Sequence, residues 1–439
     1  MRRFTPVEYL RACAGAAVVA PAILARPYLG AGRYREYQRA RVARLLRHAW
    51  DNTAFYRRKY EAAGVSPADF RNLEDLARFP TVTKAELVEA IASGALGAHR
   101  GGIESVSSGS TGRVITVTHR VADTPAYAAG RFRILNMTGR LKPWSRTFYI
   151  YTSAFPASSY FGLYRSWIVP TIHDLEDTIA RLGAVRPAVL CVYPSRLFEI
   201  AARLGRREAR ALGIELISVN SEMSSPVQRA AMADHFGCPV LDEYSTEELG
   251  WTAAECGHGT LHVWEDMARL EILDPGSDEP AADDAVGEIV GTNLHNFATP
   301  FIRYRQGDSA SLHERTCACG RSFRAMDHLV GRSNDAFRFA SRAVSPAFLL
   351  DSVYSLLLDD RYPIADFCLI QDSRESVRFQ YAVSPTHRAS LELSRRIESS
   401  LAALLPAGVA VRAEPTTRML KTTTGKRNPI VSLVGGGAA

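Results

Sequence analysis

The middle of the chain alternates apolar strand-like runs with helix-like segments, and this alternation constrains the fold most. Strands are predicted at residues 147–151, 188–192, 216–220 and 240–242, and helical segments between them at residues 178–182, 195–205 and 226–236. Such alternation is typical of βαβ units, which form a mostly parallel sheet with helices on its faces. From residue 264 to 312 the pattern changes to strands and turns, which predicts an antiparallel or barrel-like subdomain.

The flanking regions follow other patterns. Before the sheet, helices are predicted at residues 36–63 and 84–92, the second capped by Thr83, and strands at residues 103–106 and 114–118. After residue 332 the pattern indicates a compact α+β region, with helices at 346–358 and 391–405 and strands at 367–371, 377–383 and 409–413. The predicted fold is α/β, with a large N-terminal domain over residues 1–332, a small α+β C-terminal domain over residues 333–434 and a disordered tail at 435–439.

Composition excludes several classes of protein. With 46% hydrophobic and 23% charged residues in 439, the chain is neither disordered, collagen-like nor a disulfide scaffold. A net charge of +7 without a block of like charges fits anionic small substrates as well as nucleic acid. The odd number of cysteines, seven, favours a reduced protein, so the expected location is cytoplasmic, with metal binding as an option.

The N-terminal region contains a small apolar run at residues 12–24 that loosely resembles a signal peptide. Glu8 and Arg11 interrupt its lead-in, and Pro21 breaks it. The run is also shorter than a bilayer requires. We therefore expect a packed N-terminal helix and no membrane span.

A segment between two predicted strands is rich in hydroxyls and glycines: Ser107, Ser108, Gly109, Ser110, Thr111, Gly112 and Arg113. Its backbone N–H groups and hydroxyls are suited to cradling phosphate oxygens. It is not a Walker sequence, because no Gly-Lys-Ser/Thr follows. A Ser/Gly turn in a hairpin is the other interpretation.

Further motifs occur in a fixed order along the chain. They are residues 54–58 (Ala-Phe-Tyr-Arg-Arg), 221–224 (Ser-Glu-Met-Ser), 243–247 (Glu-Tyr-Ser-Thr-Glu), 301–308 (Phe-Ile-Arg-Tyr-Arg-Gln-Gly-Asp), 331–335 (Gly-Arg-Ser-Asn-Asp) and 424–426 (Thr-Gly-Lys). In these motifs the sequence resembles the adenylate-forming superfamily of acyl-CoA synthetases, adenylation domains and luciferases. The closer resemblance is to the phenylacetate–CoA ligase branch, and it runs from about residue 36 to 432.

The resemblance implies an ATP-dependent enzyme that activates an aromatic or small organic carboxylic acid. The acid would become an acyl-adenylate, with release of pyrophosphate, and the acyl group would then pass to CoA as a thioester, with release of AMP. ATP, Mg²⁺ and CoA are the implied cosubstrates and cofactor. The small C-terminal domain would be mobile, and a homodimer is left open.

The resemblance also gives the motif residues their roles. Residues 107–113 would hold the β- and γ-phosphates of ATP. The adenine slot would be lined by Ser221, Glu222 and Met223 on one side and by Glu243 and Tyr244, followed by Ser245 and Thr246, on the other. Glu247 would bind Mg²⁺, Asp308 the ribose hydroxyls, and Arg332 the ribose and phosphate. Lys426 would stabilise charge on the phosphoryl oxygens during catalysis, and Asn334 would be the hinge.

Three positions depart from the branch's usual pattern. Arg113-Val114 stands where Lys-Pro is common, and Ser245 stands where glycine is usual. Residues 339–343 replace an Arg-Gly segment whose glycine lets pantetheine pass in the family. The third departure motivates an alternative: an adenylate-forming ligase that transfers the acyl group to an amine or carrier protein without CoA.

Four residues form a candidate zinc set: Cys256, His262, Cys317 and Cys319. Three thiolates and an imidazole make a closed, structural tetrahedral site. His258 competes with His262 for the fourth place, and buried thiols beside a surface loop are the alternative interpretation.

The sequence gives the least information about the residues that line the acyl pocket. Position within the family places Phe155, Tyr160, Phe161 and Tyr193 near it, although these aromatics are equally suited to a core. A non-catalytic, nucleic-acid-binding protein is a third functional class. It is disfavoured because a degenerate scaffold would be free to lose some of Glu247, Asp308, Arg332 and Lys426.

Overall fold

A computed structural model describes residues 5–97, 102–106, 115–135, 137, 142, 144–151, 165–327, 329–332, 335–358, 361–384, 387–417 and 427–434. Its helices are α1 (Pro6–Ala25), α2 (Ala31–Asn52), α3 (Ala54–Ala62), α4 (Lys84–Ala92), α5 (Thr124–Leu135), α6 (Leu175–Val185), α7 (Pro194–Arg203), α8 (Arg206–Ala211), α9 (Pro226–Phe236), α10 (Pro346–Leu357) and α11 (Leu391–Ala402). Its strands are β1 (Ile103–Val106), β2 (Thr116–His119), β3 (Thr147–Tyr151), β4 (Ser166–Pro170), β5 (Val189–Val192), β6 (Leu216–Asn220), β7 (Val240–Thr246), β8 (Gly250–Glu255), β9 (Leu261–Val263), β10 (Ala268–Leu273), β11 (Gly287–Asn293), β12 (Tyr304–Ala310), β13 (Leu312–His313), β14 (Ala325–Met326), β15 (Gly331–Arg332), β16 (Phe337–Arg338), β17 (Ala343–Val344), β18 (Ile364–Ser373), β19 (Ser376–Val383), β20 (Ala410–Pro415) and β21 (Ile430–Ser432).

The chain forms two compact units, each assembled from two stretches of sequence. Unit 1 comprises Met1–Arg140 and Glu243–His328, and unit 2 comprises Leu141–Asp242 and Leu329–Ala439. The division by contacts does not follow a single cut in the sequence. The boundary after residue 332 and the tail at 435–439 stay predictions.

Unit 2 contains the predicted parallel sheet. Strand β3 pairs in parallel with β4 on one side and with β5 on the other, and β5 pairs in parallel with β6. Apolar side chains of these strands, such as Ile150, Leu190 and Ile217, pack with Ile200 of α7 and Phe236 of α9 in one core. The α/β class is confirmed, and these strands are mostly apolar because helices cover the sheet.

The C-terminal part of unit 2 is the predicted α+β region. Its sheet has the order β20–β19–β18–β21, in which β18 and β19 are antiparallel and the two outer pairings are parallel. Phe367, Phe379 and Tyr381 of this sheet pack with Leu349 of α10 and Ile397 of α11. Phe198, Met223 and Val227 of the preceding stretch pack against the same core.

Unit 1 contains the strand-rich region. Strands β10, β11 and β12 form an antiparallel meander, as residues 264–312 predicted. Strand β8 pairs antiparallel with β7 and with β9, and β14 joins β9 to β13. The last residues of β7 and the hairpins that follow it carry several of the candidate functional residues.

One predicted helix, over residues 36–63, is two helices. Helix α2 ends at Asn52 and α3 begins at Ala54, because the hydroxyl of Thr53 accepts a hydrogen bond from the Tyr56 N–H and caps the second helix. By contrast α4 has the predicted bounds, and Thr83 and Glu86 form its capping box. Helix α5 and strand β4 are elements that the sequence patterns missed.

The N-terminal helix is longer than the apolar run that predicted it. Pro21 lies inside α1 and does not end it. The 23 residues Pro6–Tyr28 include an 18-residue window with a mean hydropathy of 1.5, which by length and composition alone is enough to cross a membrane. The length argument against a span therefore does not hold for the whole helix, and the absence of a membrane span stays a prediction. The predicted helix itself is confirmed, and it packs against α5.

Two histidines of unit 1, the half-buried His119 and the buried His295, predict how acid affects stability. Burial lowers the pKa of His119 and of His295 to about 4 in each case. A histidine in the unfolded chain has a pKa near 6.5. Between about pH 6.5 and 4 the unfolded state therefore binds more protons than the folded state does. As a result, the free energy of unfolding falls as the pH falls through that window. At pH 5 each histidine is expected to remove about 2 kcal/mol relative to neutral pH. Urea unfolding at pH 7 and pH 5 measures this effect. His295→Gln should flatten the dependence and the exposed His258→Gln should not, and equal pH dependence in both variants would contradict it.

Candidate functional site

A buried tyrosine–aspartate pair joins two of the motifs within unit 1. The Tyr244 hydroxyl on β7 donates a hydrogen bond to Asp308 Oδ2 on β12 over 2.9 Å. Both residues are less than a tenth exposed. Gly307, immediately before Asp308, has a φ of +74°, which a side chain would strain. Two motifs that are 64 residues apart in sequence are thus brought into contact.

The turn after Tyr244 accommodates Ser245 without backbone strain. The β7–β8 register shifts between Tyr244 and Ser245, which marks a local bulge. Ser245 has an ordinary negative φ, and its hydroxyl donates to Glu243 Oε1 over 2.8 Å. The Thr246 hydroxyl accepts from the Leu249 N–H at 3.0 Å and closes the turn. Serine therefore fits this position where the branch commonly has glycine.

Two successive carboxylates at this turn have different environments. Glu247, the predicted magnesium ligand, is exposed, whereas Glu248 is buried. Burial raises the pKa of Glu248, and the nearby Lys84 ammonium opposes that rise while the charges of Glu247 and Asp308 add to it. Motif reasoning missed Glu248, although an acid directly after a motif acid was a signal for it.

In unit 2 the start of the motif at residues 221–224 has an unusual backbone. Ser221 has a φ of +67°, a left-handed conformation that costs free energy for a residue with a side chain. Its hydroxyl donates to Asn220 Oδ1 over 2.9 Å, and the Asn220 amide donates to the Tyr151 hydroxyl. Backbone strain of this kind clusters at active sites and ligand clamps, and the binding role of this segment stays a prediction.

Glu222 is half-buried in unit 2, and both of its carboxylate oxygens accept hydrogen bonds. Oε2 accepts from the Ser195 N–H at 3.0 Å and Oε1 from the Arg427 N–H at 2.7 Å. Burial raises the pKa of Glu222, and these two hydrogen bonds oppose the rise. The Arg427 guanidinium in turn forms ion pairs with Glu199 and Asp366. The residue after the predicted catalytic lysine is therefore anchored, a role that the motif did not predict.

Two further predicted residues that the structure describes, Met223 and Tyr193, lie in unit 2 as well. Met223 and Glu222 line a small cavity together with Tyr354, Phe367 and Arg427. Tyr193 is buried, and its ring stacks on Tyr151 with centroids 5.7 Å apart. Several predicted residues lie outside the described part of the chain: residues 107–113, Phe155, Tyr160, Phe161, Asn334 and Lys426. For Arg332 only the backbone, in β15, is described.

The four predicted zinc ligands converge in unit 1. The ligand atoms of Cys256, His262, Cys317 and Cys319 all lie within 4.8 Å of one another. Cys256 Sγ is 3.7 Å from Cys317 Sγ, and Cys319 Sγ is 3.2 Å from His262 Nε2. Zinc–sulfur bonds of about 2.3 Å at tetrahedral angles place two sulfurs about 3.8 Å apart, so the observed spacing fits a zinc ion. His258, the competing ligand, is exposed in the β8–β9 turn.

The residues around this cysteine–histidine cluster favour the binding of a cation. His262 Nδ1 lies 3.1 Å from the Phe323 carbonyl, which leaves Nε2 facing the sulfurs. Burial raises the pKa of Cys317, but hydrogen bonds from the Thr260 hydroxyl and from Cys319 outweigh burial and lower it to about 6. A thiol that ionises near neutral pH is a ready metal ligand. Four protein donors leave no open coordination position, so bound zinc would supply structural cross-linking only.

Comparison with known proteins finds similar sequences and a similar structure. No protein-family model matches the sequence. The chain is 29% identical over 331 residues to a phenylacetate–coenzyme A ligase of Escherichia coli, which covers 72% of this chain and 75% of that one. It is 28% identical over 317 residues to the Thermus thermophilus enzyme of the same name, covering 69% and 71%. A crystal structure of 2-hydroxyisobutyryl-CoA ligase in the postadenylation state, with 2-HIB-AMP, superposes with a TM-score of 0.79 over 93% of this chain and 91% of that one, at 21% identity.

The fold is that of the 2-hydroxyisobutyryl-CoA ligase structure, an α/β fold as the sequence predicted. In sequence the chain is similar to the phenylacetate–coenzyme A ligases at 28–29% identity. The predicted resemblance is therefore confirmed at both levels.

Proposed function

We propose that this protein activates a small or aromatic carboxylic acid with ATP and transfers the acyl group to CoA. In the first step a carboxylate oxygen attacks the α-phosphorus of ATP and pyrophosphate leaves, which forms an acyl-adenylate. In the second step the CoA sulfur attacks the acyl carbon, AMP leaves, and the thiol proton is released. The observation that carries the proposal is similarity to phenylacetate–coenzyme A ligases over about 70% of both chains.

The motif residues supply the groups that this chemistry needs. Residues 107–113 and Arg332 would bind phosphate, Ser221–Met223 and Glu243–Thr246 the adenine, and Lys426 the developing phosphoryl charge. Glu247 lies at the β7–β8 turn with an exposed carboxylate, an oxygen donor of the kind that Mg²⁺ prefers. Bound Mg²⁺ would neutralise phosphate charge. Phe155, Tyr160, Phe161 and Tyr193 are proposed to line the acyl pocket, and Asn334 to be the hinge of a mobile C-terminal domain. The proposed location is cytoplasmic.

Asp308 is proposed to anchor the ribose of ATP, with Tyr244 orienting its carboxylate. A hydrogen bond to a charged group is worth about 1.5–3 kcal/mol, so Asp308→Asn should raise the KM for ATP roughly 10–100-fold. Tyr244→Phe removes only the hydroxyl that donates to Asp308 Oδ2, and a several-fold increase is expected. Both changes should affect the KM for ATP more than the KM for the acid, as initial rates of pyrophosphate release would measure. An unchanged KM for ATP in Asp308→Asn would contradict the assignment.

The acceptor is proposed to be CoA despite the altered segment at residues 339–343. In the structure β16 and β17 form a hairpin, in which the Phe339 N–H donates to the Arg342 carbonyl over 3.0 Å. Phe339 is buried, whereas Ala340, Ser341 and Arg342 are exposed. The lost glycine is thus replaced by a short turn with a guanidinium on it, and we propose that Arg342 contacts the phosphates of CoA.

One experiment tests both steps of the proposal. Purified protein is supplied with ATP, Mg²⁺ and one of a panel of acids, beginning with phenylacetate, benzoate and 2-hydroxyisobutyrate, and pyrophosphate release is measured. CoA, or a mixture of amines, is then added, and the products are identified by mass spectrometry. Acid-dependent pyrophosphate release followed by a CoA thioester is expected, and Arg342→Ala should raise the KM for CoA only. An amide and no thioester would establish the amide-forming alternative, and no acid-dependent release would refute adenylation.

A further inference from the structure

The exposed face of α1 is apolar, the reverse of an ordinary surface helix. Its buried side, which includes Ala12, Ala16 and Ile23, faces inward. Its outward side presents Val7, Leu10, Ala14, Ala17, Val18 and Leu24, all exposed to solvent. Val18 is 80% exposed and Val7 58%. A surface helix normally has polar residues on its solvent side, so an apolar outer face indicates a partner that is itself apolar.

Positive charge is concentrated in the segment of sequence that contains this apolar face. Residues 5–60 carry eleven basic and three acidic side chains, a net charge of +8, whereas the entire chain carries +7. Arg11 lies at the margin of the face, and α2 follows with exposed Arg33, Arg39 and Arg47. In the part of the chain that the structure describes, no acidic side chain forms an ion pair with these four arginines. The charge of this protein is therefore concentrated in one segment and available to an anionic surface.

We propose that α1 docks on the surface of an anionic lipid bilayer, with its apolar face in the headgroup–acyl boundary and the arginines against the lipid phosphates. Apolar burial and attraction to anionic lipid are the two terms that hold an interfacial helix. Each arginine near such a surface contributes about 1 kcal/mol. This is a binding surface separate from the candidate active site, and it does not rest on the proposed function.

The contacts of α1 favour lying on the bilayer over crossing it. Its inner face packs closely on α5, because a Cβ at Gly15 would lie 2.7 Å from Pro125 Cγ. Arg133 of α5 donates to the Ile23 carbonyl and pairs with the buried Asp266, which also accepts from Arg26 at 3.0 Å. Withdrawing α1 into a bilayer would expose these buried charges. A second copy of the chain is a poorer occupant, since pairing two α1 faces would bring together two segments of charge +8.

Vesicle flotation of the full chain tests the proposal. The probes are vesicles of 70% phosphatidylcholine and 30% phosphatidylglycerol, against pure phosphatidylcholine. Binding to the anionic vesicles is expected to be at least tenfold stronger and to weaken with added salt. The double variant Leu10→Glu, Val18→Glu should lose roughly 100-fold in partitioning, because about tenfold is expected for each apolar side chain. The milder Val18→Ser should lose several-fold, and Arg33→Gln with Arg39→Gln and Arg47→Gln should remove most of the preference for anionic vesicles.

Leu391→Glu is the matched control. Leu391 is, like Val18, 80% exposed and lies on a helix of unit 2, so its replacement should leave vesicle binding unchanged. Thermal midpoints equal to that of the parent chain show that the variants are folded. The proposal is overturned if the parent chain does not float, or if Val18→Ser and the double variant bind as it does. A chain that does not float, but forms a concentration-dependent dimer that the Leu10→Glu, Val18→Glu variant abolishes, would also overturn the proposal. So would membrane-bound chain that resists extraction by alkaline carbonate, because a membrane-spanning helix behaves in that way.

Discussion

Lys426→Ala is expected to lower the rate of acid-dependent pyrophosphate release by about 10²–10³-fold while ATP binding is retained. Removing one group that stabilises transition-state charge commonly costs this much. The lysine ammonium is a compact charge suited to the phosphoryl oxygens and the departing pyrophosphate. Its neighbour Arg427 is held by ion pairs with Glu199 and Asp366 and by the Glu222 carboxylate, so one end of the segment that carries Lys426 has a defined anchor.

Lys421→Ala is the control for this prediction, because it removes the same charge five residues earlier without the adjacent glycine. Single-turnover release of pyrophosphate separates chemistry from binding, and ATP affinity is measured by calorimetry. If Lys426→Ala releases pyrophosphate at the parent rate, the catalytic assignment is wrong. If both lysine variants release pyrophosphate equally slowly, the lower rate results from the loss of positive charge in this segment and not from a specific role of Lys426.

Purified protein is expected to contain about one zinc ion per chain, bound by Cys256, Cys317, Cys319 and His262. Because structural zinc contributes directly to the free energy of folding, Cys317→Ser should destabilise unit 1 by more than about 3 kcal/mol. At roughly 2–4 °C per kcal/mol for a domain of about 150–250 residues, the size range of unit 1, the thermal midpoint should fall by about 10 °C. The rate of pyrophosphate release per folded molecule should change far less, because the site has no open position for substrate.

Cys368→Ser is the matched control for the zinc prediction, since Cys368 is half-buried like Cys317 but lies outside the cluster. Elemental analysis of protein purified without chelator measures the zinc content. A metal-free preparation with an unchanged thermal midpoint in Cys317→Ser would refute the site. His258→Ala should leave the zinc content unchanged, whereas His262→Ala should lower it.

Local patterns predicted many of the elements well. Helices α4 and α9 and strands β3 and β6 have the predicted bounds, because caps, prolines and apolar runs act within a few residues. The break at Thr53 was missed because helical periodicity continues across it, and only the hydroxyl hydrogen bond to the Tyr56 N–H reveals a new helix. Strand β4 was missed because parallel pairing with β3 comes from elsewhere in the chain.

By itself, the sequence determined the α/β class, the order of the adenylate-forming motifs and the four candidate zinc ligands, since each depends on residue type and spacing. Only the tertiary structure decided which residues meet. In the structure His262, and not His258, lies with the three cysteines of the candidate zinc site. Tyr244 donates a hydrogen bond to Asp308, and the Arg427 N–H donates one to Glu222. The tertiary structure also turned the apolar face of α1 outward. These outcomes depend on contacts between residues that are far apart in sequence. The free energy of such contacts comes from burial and packing, so the local sequence pattern does not predict them.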